Sequence, residues 1–509
     1  MPTTIGIVGA GLSGLVTAKT LLEYGHRVIV FEKDAEPGGV WAGSRHYPGL
    51  TTQNTRDSYA FSDFPMPRHY PEFPGGEQMR HYLHGYARHF GVWPHIRTRT
   101  VVESAVPLTG EDRGGWLLHG TREGYAFTER VDFLVVCNGT FSEPFIPTSP
   151  GMDHFTAAGG RILHSTEVGG PATYRGKKVV VVGYGKSACD VASSIADEAH
   201  STTIVYRQAK WKVPKRILGI NYKYLILSRF GEALTKLRYR NGAERLIHAL
   251  RLPGFILRRM ENIFARQQQL NACGLRPDLP ISDLLFGELS VESDGFFEKV
   301  RNGCIRALPG GIREFRAGGL TLGDGTVLEA DLVVYGTGFR QNIPFFESGL
   351  LQKLTDARGN FQLHRNILPP EVAELAFVGY NTSFFCNLTS EIAAQWLAEY
   401  LEGHIALPER DKMLADIREH QEWRAQFRRN ALYRGTSVYP FNITYVDWLL
   451  RDMNARLPWP SLLAEWLVVI DPAHYAPVKR RIRQRSLHQR TAAKPRKENA
   501  GQQVSLPED

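Results

Sequence analysis

The chain of 509 residues is poor in cysteine and has no long apolar run. No two of its five cysteines have C-x-x-C spacing; they are Cys137, Cys189, Cys273, Cys304 and Cys386. A disulfide framework, a zinc site and a redox-active dithiol are therefore poorly supported, and we predict no metal site. No window approaches the roughly 18 apolar residues that a spanning helix needs. The best candidate, residues 461–470, is short and carries Glu465, so no membrane-spanning helix is expected.

No signal peptide is expected, and the charge of the chain is unevenly distributed. A strand pattern begins by Thr4 with no basic segment or cleavage site before it, which predicts a cytoplasmic protein. The net charge of +9 arises in two places. Residues 207–270 contain 15 Lys and Arg against 3 Glu, and residues 479–497 contain 9 Lys and Arg and no acid. Because the rest of the chain is acidic, nucleic-acid binding is not expected. The composition of the tail, residues 476–509, predicts disorder.

Three segments follow a common plan of apolar strand, glycine turn and helix. The first two are residues 3–33 and 177–208. The third is a terminal strand at residues 330–339, with a weaker counterpart at residues 132–140. Strands that alternate with helices in this order form parallel sheets. We therefore predict an α/β fold with two Rossmann-like, doubly wound domains.

Further helices are predicted outside these segments. One lies near residues 76–90, and another, residues 390–402, follows a loop that begins at residue 381. Residues 214–275 have an amphipathic pattern that is both basic and apolar, which predicts a mostly helical insert. A helix-rich C-terminal region is expected before the tail.

The first glycine turn contains Gly9, Gly11 and Gly14 in the pattern G-x-G-x-x-G between a strand and a helix. The first glycine permits a tight turn, the second lets the backbone approach a pyrophosphate, and the third lets the helix pack close to the sheet. The helix N-terminus then presents N–H groups to the phosphates. Glu32 ends the next strand, where a carboxylate accepts hydrogen bonds from ribose hydroxyls. These residues indicate a dinucleotide site, and Gly39 allows another close approach to a large cofactor.

The second glycine turn, residues 183–188, has the pattern G-x-G-x-x-A and differs after its second strand. There it has Arg207, with Lys210 and Lys212 close by, in place of an acid. An acid would repel a 2′-phosphate, whereas an arginine pairs with it, so NADP is favoured over NAD. The alternative role for Arg207 is that of a solvated surface charge. Ser187 would cap the following helix or contact phosphate.

Two dinucleotide sites in one chain favour a flavin that is reduced by a nicotinamide, because hydride transfer needs the two rings face to face. We therefore predict FAD in the first site and NADPH in the second. The predicted domains are residues 1–168, the first part of the FAD-binding domain; 169–335, the NADP-binding domain with the insert 214–275; 336–475, the second part of the FAD-binding domain with the C-terminal helices; and 476–509, the tail.

Taken together, these motifs resemble the flavin-containing monooxygenase family. The resemblance spans roughly residues 1–450 and is specific for the class of protein rather than for a substrate. The segments that carry it, besides Glu32, are GAGLSGL (9–15), GGVW (38–41), FSDFPMP (61–67), GKKVVVVGYGKSACDVA (176–192) and DLVVYGTGF (331–339).

The resemblance implies cofactor contacts along both turns and in the segments that follow them. The implied FAD contacts are Gly9, Ala10, Gly11, Leu12, Ser13, Gly14, Glu32, Gly39, Val40, Trp41 and Thr52. The implied NADP contacts are Gly183, Tyr184, Gly185, Lys186, Ser187 and Arg207, and further cofactor contacts are Gln53, Thr337 and Gly338.

Residues 50–65 resemble the family stretch that carries an asparagine beside the isoalloxazine ring. Counted back from Phe61, Gln53 takes the place of this asparagine, and Asn54 lies one residue later. Either amide could donate a hydrogen bond to the oxygenated flavin or to the nicotinamide, so both are candidate catalytic residues. Hydrogen bonding within the loop alone is the alternative.

The family's identifying sequence, F-x-G-x-x-x-H-x-x-x-(Y/F)-(K/R), is only partly present. Gly160 and His164 match it, whereas Ala158, Val168 and Gly169 depart from it. The Baeyer–Villiger version would have a tryptophan near Val168, and that residue is absent too. His164 could orient the linker between the domains and the NADP site, or it could be purely structural.

The resemblance implies that NADPH reduces FAD and that the reduced flavin and O2 form a C4a-hydroperoxide. One oxygen atom then enters a small organic substrate, most simply at an amine nitrogen or a thioether sulfur. Three alternatives stay open: Baeyer–Villiger oxygenation of a ketone, a non-oxygenating NADPH–flavin oxidoreductase, and a non-catalytic protein. A disulfide reductase is opposed by the missing cysteine pair.

The basic insert, residues 214–275, has two interpretations. It could lie on an anionic intracellular membrane as a peripheral contact or frame a channel to the flavin. It could equally be a packed subdomain with a solvated basic face, which we favour slightly. A homodimer is also compatible with the sequence.

Overall fold

The computed structural model describes residues 3–108, 114–235, 241–284, 289–381, 383–426 and 442–492. In chain order the strands are β1 Thr4–Val8, β2 Arg27–Phe31, β3 Ile96–Arg97, β4 Thr100–Pro107, β5 Trp116–Arg122, β6 Tyr125–Val131, β7 Phe133–Val136, β8 Glu143–Pro144, β9 Arg161–His164, β10 Lys178–Val182, β11 Ser201–Tyr206, β12 Lys212–Val213, β13 Arg216–Ile217, β14 Ile220–Asn221, β15 Ser290–Val291, β16 Ile305–Pro309, β17 Ile312–Arg316, β18 Gly319–Leu322, β19 Val327–Glu329, β20 Leu332–Tyr335, β21 Phe339–Arg340 and β22 Leu375–Phe377.

The helices are α1 Leu12–Glu23, α2 Gly76–His89, α3 Met152–Ala157, α4 Lys186–Ile195, α5 Tyr222–Ile226, α6 Arg229–Thr235, α7 Gly242–Ala249, α8 Leu252–Gln267, α9 Ile281–Leu284, α10 Phe296–Arg301, α11 Ser348–Leu354, α12 Cys386–Leu401, α13 Arg410–Gln426, α14 Ile443–Asp452, α15 Trp459–Leu467 and α16 Ala476–Ala492. Within the described ranges, no helix is long and apolar enough to cross a bilayer.

Two five-stranded parallel sheets organise the chain. The first has the order β22-β7-β1-β2-β3, and the second has the order β16-β11-β10-β20-β9. The central strand of each sheet is a nearly continuous apolar run, as expected for a parallel strand covered on both faces. In each sheet the glycine turn follows this central strand. The predicted doubly wound α/β fold is therefore confirmed.

The edge strand β9 corrects one predicted boundary. Residues Arg161 to His164 pair with Leu332 to Tyr335 and thereby complete the second sheet, although the sequence placed residues 1–168 with the first. The boundary at residue 168 therefore falls too late. The connection between the sheets lies nearby, where β8 pairs antiparallel with β21 and the two crossing segments run side by side.

The insert of residues 214–275 is mostly helical, as predicted. It begins with the short hairpin of β13 and β14 and continues through α5 to α8. Its first residues adjoin the two-stranded parallel sheet of β12 and β15. This small sheet ties the start of the insert to residues that precede α10.

The C-terminal region differs from the predicted disordered tail. Residues 476–492 form the helix α16, and residues 493–509 lie outside the described residues. Lys479 of α16 is buried, and its Nζ contacts Glu391 Oε1 at 2.5 Å and Asp63 Oδ2 at 3.2 Å. The positive charge of Lys479, part of the basic composition that suggested disorder, is therefore neutralised by two acidic residues that are distant in sequence. The helix predicted at residues 390–402 begins earlier, at Cys386.

Candidate functional site

The first glycine turn has the geometry that its pattern predicts. Gly9 has a φ of +104°, and a Cβ there would lie 2.6 Å from the Cys137 oxygen. A Cβ on Gly14 would lie 1.9 Å from the Gly9 oxygen, so only glycine lets α1 approach the strand this closely. Gly39 has a φ of +59°, and its Cβ would lie 3.0 Å from Gly11 Cα. Gly11 and Gly39 therefore bring two backbone segments into a close contact that a side chain on Gly39 would obstruct.

The N-terminus of α1 lies beside this contact. No side chain of the described residues caps it, and Gly11 stands at the capping position. Its first N–H groups, including those of Leu12 and Ser13, are thus suited to bind a phosphate. The turn of Gly39, Val40 and Trp41 is held beside it, because the Gly38 N–H donates to the Ala10 oxygen at 3.0 Å.

Glu32 lies beside the same turn. Its Oε2 accepts the Ala10 N–H at 2.7 Å, and its Oε1 accepts the Asp34 N–H at 2.9 Å. Burial raises the pKa of Glu32, while the two backbone hydrogen bonds oppose that rise. Each carboxyl oxygen has a further lone pair for a ribose hydroxyl. The close glycine backbone, the uncapped helix and this carboxyl group fit an FAD molecule.

The second glycine turn repeats the arrangement with one addition. Gly183 has a φ of +125°, and a Cβ there would lie 2.5 Å from the Gly336 oxygen. A Cβ on Gly336 would in turn lie 2.6 Å from the Cβ of Ala188. Gly336 was not among the predicted site residues, although it stands directly after the terminal strand β20 beside the predicted Thr337 and Gly338. Gly185 precedes α4, whose N-terminus is also without a side-chain cap among the described residues.

The basic residues near this turn have different roles. Arg207 is exposed directly after β11, where a 2′-phosphate would be expected. Lys212 is buried, and its Nζ donates to the Tyr184 oxygen at 2.7 Å and to Ser290 Oγ at 2.8 Å. Lys212, although close to Arg207 in sequence, is therefore bound by protein groups through its ammonium group. Burial lowers the pKa of Lys212. The side chain of Lys212 supports the glycine turn through its hydrogen bond to the Tyr184 oxygen.

Two other predicted contacts of this turn bind protein groups through their side chains. The ammonium group of Lys186 pairs with Asp190 one helical turn later. Ser187 Oγ donates to the Tyr47 hydroxyl at 3.2 Å, which joins α4 to a loop of the first domain. The backbone N–H groups at the start of α4 are therefore the groups best placed for phosphate.

The candidate amides lie in a buried loop between the two units. Asn54 Nδ2 donates to the Phe384 oxygen at 2.7 Å, just before α12. Gln53 Oε1 accepts the Val291 N–H at 3.1 Å, from β15. Thr52 Oγ1 donates to the Asn54 oxygen at 2.7 Å and closes the turn. The loop is thus bound on one side by the first domain and on the other by residues of the second.

Tyr222 is a residue of this site that the sequence did not reveal. Its hydroxyl donates to the Gln53 oxygen and lies 3.5 Å from Asn54 Oδ1. The sequence carries no local signal for this contact, because the two residues are 169 positions apart and belong to different predicted elements.

Thr337, Gly338 and His164 meet in the connection between the sheets. Thr337 Oγ1 donates to the Phe145 oxygen, and the Phe145 N–H donates to the Gly338 oxygen at 3.0 Å. His164 Nε2 contacts the same Gly338 oxygen at 3.0 Å. Burial lowers the pKa of His164. The position of His164 agrees with a role in orienting the linker.

Fold and site together define a class of protein, an oxidoreductase that holds two dinucleotides on adjacent parallel sheets. The chain belongs to the flavin-binding monooxygenase-like family, whose model matches residues 3–476. It is therefore a flavin-dependent NADPH monooxygenase with FAD and NADPH as cofactors.

Individual relatives agree with this membership. Flavin-containing monooxygenase 3 of Homo sapiens is 26% identical over 490 residues, which cover 93% of this chain and 86% of that protein. The structure of S-allyl-L-cysteine S-oxygenase from Allium sativum aligns with a TM-score of 0.62 at 20% identity, over 97% of this chain and 94% of that one. Cyclohexanone monooxygenase from Rhodococcus sp. Phi1, bound to NADP+, aligns with a TM-score of 0.63 at 17% identity, over 89% and 97%. The two structures share the fold.

Proposed function

We propose that the protein transfers one atom of O2 to the nitrogen or sulfur of a small organic substrate while NADPH supplies two electrons. The observation that carries this proposal is the buried Gln53–Asn54 loop, bound by Phe384 of the first domain and Val291 of the second. The contacts of this loop with both units support a role for the two amides near both cofactors. The name of the Allium sativum structure, an S-oxygenase, supports sulfur as one target.

The cofactors are proposed to bind at the two glycine turns. FAD would lie along the backbone of Gly11 and Gly39, with its pyrophosphate at the start of α1 and a ribose at Glu32. NADPH would lie at the start of α4, with its 2′-phosphate at Arg207. When bound, the flavin supplies the reaction with O2, and the chain orients the cofactors and excludes water.

Gln53 and Asn54 are proposed as the residues that contact the reacting groups. A primary amide has two N–H donors and one oxygen acceptor. Asn54 uses one donor on the Phe384 oxygen, which leaves a second N–H that could hold a cofactor or substrate oxygen. Gln53 uses its oxygen on Val291, so its NH2 group is the part that would face a ligand. Neither amide titrates near neutral pH, and both therefore act as hydrogen-bond donors.

Product analysis tests the proposal. The purified FAD-loaded protein is given NADPH, ¹⁸O2 and, separately, a tertiary amine, a thioether and a cyclic ketone. We expect N-oxide or sulfoxide that carries one labelled oxygen. A labelled lactone from the ketone alone would establish Baeyer–Villiger oxygenation instead. Hydrogen peroxide as the only product with all three classes would establish a non-oxygenating NADPH–flavin oxidoreductase.

A further inference from the structure

The helical insert reaches the candidate amides through one buried residue. Tyr222 is the first residue of α5 and is fully buried. Its ring stacks on Phe73 with 6.2 Å between centroids, and its hydroxyl donates to the Gln53 backbone oxygen. A phenol has a single proton to donate, so this hydrogen bond orients the hydroxyl group. The insert therefore contacts the loop directly at Gln53.

The residues on either side of Tyr222 bind the same stretch of the first domain. Lys223 Nζ donates to Asp57 Oδ2 at 3.0 Å. Asn221 Nδ2 donates to Glu72 Oε1 at 2.7 Å. Three consecutive residues of the insert thus bind residues 53–72 of the first domain, from the candidate amides at one end to Glu72 at the other.

A second set of contacts connects Gln53 to the other glycine turn. The Val291 N–H that binds Gln53 belongs to β15, which pairs with β12. In β12, Lys212 binds the Tyr184 oxygen of the glycine turn and also Ser290 of β15. Gln53 is therefore held from two sides, once at its backbone by Tyr222 and once at its side chain by a strand that contacts the NADPH turn.

We propose that Tyr222 is a positioning residue of the oxygenation reaction and that the insert serves as a latch on the Gln53–Asn54 loop. This proposal rests on the proposed function, which assigns the two amides to the reacting groups. Without the hydroxyl, the part-buried Gln53 backbone oxygen has lost a donor and the loop relaxes, so water reaches the reaction site. NADPH, O2 and a proton then give NADP+ and H2O2, whereas the latched loop directs one oxygen atom to the substrate and the other to water.

The test is Tyr222→Phe beside the matched variant Tyr224→Phe, whose ring is 47% exposed on the same helix. NADPH consumed, H2O2 released and oxygenated product formed are measured in the same reaction. In Tyr222→Phe we expect the ratio of H2O2 to product to rise roughly two- to tenfold, the effect of one lost hydrogen bond. The KM for NADPH and the anaerobic rate of flavin reduction stay as in the wild type. Tyr224→Phe keeps the wild-type ratio.

Amide hydrogen exchange of residues 52–58 provides a readout that does not depend on turnover. Exchange there is expected to be faster in Tyr222→Phe and unchanged in Tyr224→Phe. If Tyr222→Phe does not fold, Lys223→Met, which removes the contact with Asp57, is expected to produce the same changes in smaller measure. A folded Tyr222→Phe with wild-type exchange and wild-type product ratio overturns the latch. If exchange is faster in Tyr222→Phe but the wild type forms no oxygenated product, the proposed function and the positioning role are both overturned. The contact between Tyr222 and the Gln53 loop is upheld in that case.

Discussion

At the scale of single residues, the testable features are the glycines of the two turns, an arginine that would bind the cofactor and a buried histidine. Gly9, Gly14 and Gly183 were found from their spacing alone, since a strand, a tight turn and a helix leave no room for a side chain. Gln53 and Asn54 were also found in the sequence, although only the structure shows what each amide binds. The role of Tyr222 and the buried position of Lys212 depend on contacts between distant segments. No local sequence pattern predicts either of them.

Arg207 should decide which nicotinamide cofactor is used. In Arg207→Ala we expect the KM for NADPH to rise roughly tenfold to hundredfold, because the 2′-phosphate loses a charge-assisted hydrogen bond. The KM for NADH, which has no 2′-phosphate, should stay within about twofold of the wild-type value. Steady-state kinetics with both cofactors check this. Arg306→Ala, at another exposed arginine near the edge of the same sheet, is the control, and an equal effect in both variants would contradict the assignment.

His364 should make the protein sensitive to acid. Burial, with a smaller effect from Arg365, lowers the pKa of His364 to about 4. The unfolded chain takes up a proton near the ordinary pKa of about 6.5, so this contribution to stability is present above that pH and is lost as the pH falls towards 4. From pH 7 to pH 5 the loss is at most about 2 kcal/mol.

Urea unfolding at pH 7 and pH 5 measures this contribution. His364→Gln should lose less stability than the wild type over that interval, while His154→Gln, at an exposed histidine, should follow the wild type. An identical pH dependence in His364→Gln and the wild type would show that His364 is not the group responsible.

At the scale of elements, the C-terminal helix α16 is the clearest case of a structure that the sequence did not predict. The strands, α1, α2 and the helical insert follow from periodicity and turn residues. The helix α16 does not, because its composition is that of a solvated basic tail. Its stability depends on Glu391 in α12 and on Asp63, which precede it by 88 and 416 positions. The edge strand β9 was not predicted for a similar reason, since its pairing with β20 spans more than 150 residues.

Lys479 should be essential for docking α16. Burial alone would lower the pKa of Lys479, but Glu391 and Asp63 raise it above the ordinary value. Lys479→Met leaves the buried Glu391 carboxylate and the half-buried Asp63 carboxylate without this cation and should reduce the free energy of unfolding by about 3 to 5 kcal/mol. Arg480→Ala, at the exposed neighbouring position, should change it by less than about 0.5 kcal/mol. Thermal unfolding of both variants at neutral pH is the measurement, and equal losses would refute the buried cluster.

The insert should also determine whether the protein binds lipid. The surface of α7 and α8, defined by Leu246, Leu250, Arg251, Phe255 and Arg258, combines exposed apolar and cationic side chains. We propose that this α7–α8 surface makes a peripheral contact with anionic membranes. The alternative is a packed subdomain with a solvated face.

Vesicle pelleting distinguishes these two roles of the insert. The wild type should pellet with phosphatidylserine vesicles and much less with phosphatidylcholine vesicles. The double variant Leu250→Ser, Phe255→Ser should stay in the supernatant. Leu467→Ser, at an exposed leucine of α15, should pellet as the wild type does. A wild type that never pellets supports the packed subdomain.

At the scale of the whole molecule, two similar units cooperate because their connection and one loop bring them together. The pairing of β8 with β21 and the contacts of His164 hold the two crossing segments, and the Gln53–Asn54 loop is bound by both units. The sequence predicted the two units and the family, since each unit is encoded within about 30 residues. It could not predict the contacts between the units, which depend on the tertiary packing of distant residues such as Gln53 and Val291, 238 positions apart.

The most direct measurement of the central claim is rapid mixing of the NADPH-reduced protein with O2 in the presence of NADP+. If the site shields the reacting flavin from water, the spectrum of oxidised FAD should return only after a lag, and a thioether added during the lag should be converted to sulfoxide with one equivalent of oxygen. Immediate return of oxidised FAD with a full equivalent of H2O2, and no sulfoxide or N-oxide with any substrate, would contradict the account.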